Sequence, residues 1–122
     1  MIRKEEYIQK NCIIWFDIQF PQYRLLLHHS PNGGYRSKVE GGIFKAMGVR
    51  AGFPDLIFLL PNPGYHYLAI EMKDDKGHMS PSQVEYKKII EENGGKHELI
   101  RSFDEFREII TNWINNYAKT KT

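Results

Sequence analysis

The chain carries 122 residues, 41% hydrophobic and 13% aromatic, with 17 Lys and Arg against 15 Asp and Glu for a net charge of +2. That suits one domain over residues 1–122 with a real core, and it leaves the distribution of charge, not its total, as the guide to a nucleic-acid partner. The single cysteine, Cys12, excludes an internal disulfide and a cysteine-rich zinc site.

Residues 4–16 read as a helix: Ile8, Cys12 and Trp15 recur at i, i+4 and i+7, with Ile13 and Phe16 widening the stripe. Phe20-Pro21 ends it. Residues 24–29 predict a short strand, with Leu25, Leu26 and Leu27 mostly buried, and residues 30–34 a loop. A short helix is expected within 38–48, where Val39, Ile43, Ala46 and Met47 share a face, although Gly41-Gly42 weakens it. Residues 56–60 are an apolar run of strand length, Pro61-Asn62-Pro63-Gly64 a tight turn, and 65–72 the partner strand of a hairpin. Ser80-Pro81-Ser82-Gln83 is a helix start with a capping box, and Gly94-Gly95 stops that helix. A strand over 97–101 follows. A second capping box, Ser102 with Glu105, opens a helix whose stripe runs through Phe103, Phe106, Ile109, Ile110, Trp113, Ile114 and Tyr117. That stripe is core or a dimer face, with Trp113 and Tyr117 placed to pack across a two-fold axis. The order predicts an α/β fold with a central mixed sheet flanked by helices. No apolar run approaches the roughly 20 residues of a membrane span. The start Arg3-Lys4-Glu5-Glu6 lacks the apolar run of a signal peptide, so the expectation is a soluble cytoplasmic protein.

The chemistry gathers around the hairpin. Asp55 opens the first strand, and Glu71 and Lys73 end the second on one face. Pairing 56–60 with 66–70 brings Asp55 beside Glu71. Two carboxylates and an ammonium at one strand edge are costly to leave unpaired away from water, and Mg²⁺ suits one or two carboxylates plus substrate phosphate. Such an ion lowers the pKa of a water and stabilises a leaving oxygen, while Lys73 can orient or deprotonate the water or clamp the phosphate. The competing interpretation is a solvated rim of charges, and spacing alone does not decide between them.

Further residues carry a resemblance. Gly52-Phe53-Pro54-Asp55-Leu56, Ile70-Glu71-Met72-Lys73 and Met79-Ser80-Pro81-Ser82-Gln83 resemble the VRR-NUC branch of the PD-(D/E)XK nuclease superfamily. The segments from Ser30 to Arg36 and from Met47 to Gly52 fit it too, as does Glu6-x-x-Gln9. The likeness covers roughly residues 4–117 and implies a restriction-endonuclease-like core, α-β-β-β-α-β with a C-terminal helix. It implies Asp55, Glu71 and the Met72 backbone carbonyl as ligands of Mg²⁺ or Mn²⁺, Lys73 as the catalytic lysine, Gln83 beside the site, and Glu6 as the N-terminal acid, with Glu5 adjacent. Small stand-alone members of the family look like phage or bacterial proteins, similar in size to dimeric junction resolvases, which would put this one in a host cytoplasm if phage-encoded. Larger relatives carry the domain in multidomain repair enzymes.

The expected activity is therefore Mg²⁺-dependent hydrolysis of DNA, on branched or junction substrates and as a homodimer, with no small-molecule cofactor and no membrane partner. The competitors are a monomeric nicking or flap nuclease and a non-catalytic DNA-binding module. Gln83 has a capping role open to it, and Glu6 is favoured in a first helical turn whatever its function. Arg36, Lys38, Lys45 and Arg50 against Glu40 form a basic stretch suited to phosphate, with Lys76 near the site; a solvated loop is the alternative. His78, like Lys76, looks solvent-facing. Alternation sends His28 and His29 to opposite faces, so at most one meets the site.

Overall fold

A computed structural model describes residues 3–31 and 37–121. Arg36 and the Gly33-Gly34 pair lie outside the described residues. The elements run in the expected order: α1 (Lys4–Gln19), a 3-10 turn (Pro21–Leu26), β1 (Leu27–His29), α2 (Lys38–Ala46), β2 (Leu56–Phe58), β3 (Tyr67–Met72), α3 (Pro81–Glu92), β4 (Gly95–Ile100) and α4 (Phe103–Lys119). The sheet order is β1-β2-β3-β4. β1 and β2, and β2 and β3, pair antiparallel, whereas β3 and β4 are parallel. Parallel neighbours need a crossover, which α3 supplies while packing on β4. The α/β fold with a mixed central sheet is thus the one the sequence predicts.

The hairpin forms in the expected register, Leu56↔Ile70, Ile57↔Ala69 and Phe58↔Leu68. Its turn closes with reciprocal backbone hydrogen bonds between Asn62 and Tyr65, 3.1 and 2.9 Å. Alternation along β3 works as read: Leu68, Ile70 and Met72 join the core, and Tyr67, Ala69 and Glu71 take the other side. The core lies between the sheet and the α1–α4 pair. Phe16 meets Phe58 edge-on at 5.5 Å, and Trp15 meets Phe20, Phe103 and Phe106 at 5.6–6.1 Å. Cys12 is buried there, and burial pushes its thiol up to about 12, which makes it a packing residue.

Three expectations need correction. Residues 21–26 form a 3-10 turn instead of the start of a strand, because Pro21 presets the φ of a helical turn, and Leu25 is 87% exposed. Trp113 is spent inside the chain: its indole N–H donates to the Leu60 carbonyl at 2.7 Å and its ring lies against Tyr65. Tyr117, half-buried, meets Tyr23 edge-on. In the second capping box, Ser102 Oγ accepts from Glu105 N at 3.1 Å, but the Glu105 carboxylate takes the backbone N–H of Arg101 instead of that of Ser102.

Candidate active site

The hairpin register builds the site. One residue beyond Leu56↔Ile70, Asp55 falls opposite Glu71, on the side of the sheet that α3 covers. The backbone N–H of Met72 donates to Asp55 Oδ2 at 2.7 Å, fixing that carboxylate to the end of β3. From the other side β1 holds the Asp55 backbone: Ser30 N donates to the Asp55 carbonyl at 3.0 Å, and His29 Nδ1 lies 2.9 Å from the same oxygen and 3.0 Å from the Gln9 amide nitrogen. Of the two histidines, then, His29 meets the site.

Glu71 is only 2% exposed, and its Oε1 is buried without a hydrogen-bond partner. Burial first, and then the adjacent Asp55 carboxyl, hold the Glu71 carboxyl well above the ordinary carboxylate range. The Lys73 ammonium pulls the other way. An unpartnered buried carboxylate oxygen beside a second carboxylate is a costly arrangement, and one that a cation with oxygen preference fits. Among the described residues no group of three or more His, Cys, Asp or Glu is placed to hold a metal. A two-carboxylate site completed by a backbone carbonyl, waters and phosphate suits Mg²⁺ and not zinc.

These groups open into a cleft of about 490 Å³ that also receives Met72, Lys73, Gln83, Glu5, Glu6 and Lys10. It is bordered by the first turns of α1 and α3, and the positive dipole end of each favours an anion. Both candidate acids of α1 reach it. Glu6 is engaged by Arg3, with Nη2 at 2.8 Å, and this holds its carboxyl below the ordinary range. The charge of Glu5, by contrast, is felt at Glu71. Gln83 caps α3: Ser80 N donates to Gln83 Oε1 at 2.8 Å and Gln83 N to Ser80 Oγ at 3.3 Å. The cap uses the amide oxygen and leaves the amide N–H donors, so capping and a place in the cleft coexist.

Two supports escape a reading of the sequence. The first holds the loop after Lys73. Asp74 Oδ1 accepts from Lys76 N and Gly77 N at 2.9 and 2.7 Å. Arg101 Nη1 donates to the carbonyls of Asp74 and Gly77, both at 2.7 Å, and Lys4 pairs with Asp75 at 3.1 Å. The second is Gly52, at φ +86°, where a Cβ would stand 2.5 Å from the Ser82 carbonyl carbon and oxygen and 2.8 Å from Gln83 N. The Gly-Phe-Pro-Asp segment is thereby seated on the capping box of α3. Gly52→Ala is expected to cost about 2–5 kcal/mol, from the left-handed backbone and the overpacking together; an unchanged denaturant midpoint would contradict this seating.

Lys38, Lys45, Arg50 and Lys76 do not line this cleft. Lys38 and Lys45 are exposed on α2, Arg50 is exposed and donates to the Lys45 carbonyl at 3.4 Å, and Lys76 is exposed in the loop after Lys73. Among the described residues, no helix is long and apolar enough to cross a membrane.

Comparison with known proteins agrees with this geometry. None of the curated proteins compared matches the chain. A solved structure bearing the name "VRR_NUC domain protein" superposes with a TM-score of 0.80, at 28% identity, over 95% of this chain and 92% of that one. The VRR-NUC domain profile matches residues 3–104. By this match and by its fold, the chain belongs to the VRR-NUC family and is a nuclease-type, DNA-acting domain.

Proposed function

We propose that the chain is a Mg²⁺-dependent DNA endonuclease, with Mn²⁺ able to substitute, that hydrolyses phosphodiester bonds in branched DNA as a homodimer. The observation that carries this reading is Glu71, buried with an unpartnered Oε1 beside Asp55, in a cleft that also holds Lys73. Asp55, Glu71 and the Met72 carbonyl would hold the ion. When bound, it supplies water activation and neutralises charge at the phosphate. Lys73 orients the attacking water and balances the charge that develops on the phosphate oxygens. Gln83 lends its amide N–H groups, and the first turns of α1 and α3 favour the anionic strand. Glu5 and Glu6 lie at the rim, with Glu5 the better placed to act with Glu71.

The dimer rests on apolar surface left uncovered in one copy. Val39 on α2 and Met47, its C-cap, are 73% and 76% exposed, and Ile43 on α2 is exposed too. A second copy packed there about a two-fold axis would give the assembly two active sites, the number needed to cut both strands of a junction.

The test is a panel of labelled linear, forked and four-way DNAs, each with Mg²⁺ or EDTA, for wild type and Asp55→Ala. Cutting of branched DNA that needs both Mg²⁺ and Asp55 supports the proposal. Cutting of forks alone by a monomer points to a nicking or flap nuclease, and cutting of nothing points to a binding module. The basic stretch has its own test. Lys38→Ala with Lys45→Ala is expected to lower the slope of log K against log salt by about two units if both meet phosphate. An unchanged slope would remove α2 from the DNA path.

A further inference from the structure

A second cavity adjoins the candidate active site. It has a volume of about 470 Å³, within the range of about 300–1,000 Å³ common for small-ligand pockets. Three half-buried rings line it, Phe44, Phe53 and Tyr86, together with the exposed Arg50 and His28. Phe53 and Tyr86 stand edge to face at 5.4 Å. Three features tie this cavity to the cleft. Pro31 lines both. His28 and His29 are consecutive on β1 and line one each. Phe53 lies two residues before Asp55. The cavity is thus apolar and aromatic within, with Arg50 and His28 towards solvent, immediately beside the place where a phosphodiester would be cut.

We propose that this cavity receives an unpaired base of the substrate strand, next to the scissile phosphate. The inference rests on the nuclease reading and adds to it the form of the DNA at the cut. Aromatic walls suit a base because every base has a π-face to stack. Arg50 and His28 suit the sugar-phosphate that stays outside. A base paired in a duplex cannot enter, so the site would favour a nucleotide already unpaired at a branch, or one that can be turned out at modest cost. This accounts for a preference for branched over linear duplex without any contact to base edges.

The probe is a DNA fork carrying 2-aminopurine at successive positions across the branch point, bound in EDTA. Its emission reports stacking, and no cleavage is needed to read it. At one or two positions the wild type is expected to change the emission. Tyr86→Leu, which removes a wall, and Val49→Trp, which fills the cavity from another lining residue, should both abolish that response. Tyr86→Phe, which keeps the ring, should retain it. An abasic nucleotide at the responsive position should weaken wild-type binding by about 5–150-fold, the worth of one base–aromatic stack. No responsive position, or the same response in Tyr86→Leu and Val49→Trp as in wild type, overturns the proposal. Failure to cut the same fork in Mg²⁺ would count against the nuclease reading alone, since the emission is read without it.

Discussion

Glu71→Gln should abolish DNA cleavage and at the same time make the metal-free protein more stable. Glu71 is buried, has an unpartnered Oε1 and sits beside Asp55. The amide keeps the shape, never carries charge, and can donate to Asp55. A gain of about 1–3 kcal/mol is expected near pH 8 without divalent ions, because the amide removes the cost of a buried carboxyl that must either ionise or hold a proton there. That is several degrees in Tm for a chain of this size. The sign follows from the titration. The folded-state pKa of Glu71 lies above its ordinary value of 4.5. Its contribution to stability is therefore complete below about pH 4.5 and is lost as pH rises towards the folded value. The advantage of Glu71→Gln should accordingly grow between pH 5 and pH 8.5. A divalent ion binds the deprotonated carboxylate, so Mg²⁺ should release a proton and raise the Tm of wild type more at high pH, with little effect on Glu71→Gln. Thermal melts at several pH values, with Mg²⁺ or EDTA, check all of this. A variant less stable than wild type throughout would mean that Glu71 is satisfied in the fold.

Lys73→Ala is expected to lower kcat by about 10²–10⁴-fold, the range for removing one transition-state donor or proton-transfer group, while the fold survives because the side chain is only half-buried. The loop beyond it is held independently by Asp74 and Arg101. A second consequence separates this role from a structural one. The Lys73 ammonium draws the Glu71 carboxyl down, so its removal should shift the pH dependence of Mg²⁺ binding upwards while leaving binding intact at high pH. Single-turnover cleavage and calorimetric Mg²⁺ titrations at several pH values measure the two effects. Wild-type cleavage by Lys73→Ala would remove the lysine from the mechanism.

The parts of the site that local rules govern were legible in the sequence. The turn Pro61–Gly64 and the alternation along 65–72 fix the register, and the register alone puts Asp55 across from Glu71. Ser80 and Gln83 announce their capping box. What was not legible depends on distant partners. The sequence places Glu71 at a strand end, where charges ordinarily meet water; its burial comes from the packing of α1 and α3 around the sheet end. Arg101 pins the loop after Lys73 from more than 20 residues away, which no local pattern announces. The three consecutive leucines mimic a buried strand, yet the 3-10 turn set by Pro21 turns Leu25 outward. Along α2 the apolar periodicity marks the helix, but periodicity does not say what covers a face, and within one copy Val39 and the C-cap Met47 stay uncovered.

The most direct measurement of the central claim is the single-turnover rate of DNA cleavage as a function of Mg²⁺ concentration, for wild type and Glu71→Gln, at pH 6.5 and 8.5 by choice of buffer. Wild type should show a saturable rate, no cleavage in EDTA and half-saturation at lower Mg²⁺ at the higher pH, and Glu71→Gln should show no measurable rate. Cleavage that persists in EDTA, or a Glu71→Gln curve that overlies the wild-type one, would contradict that claim.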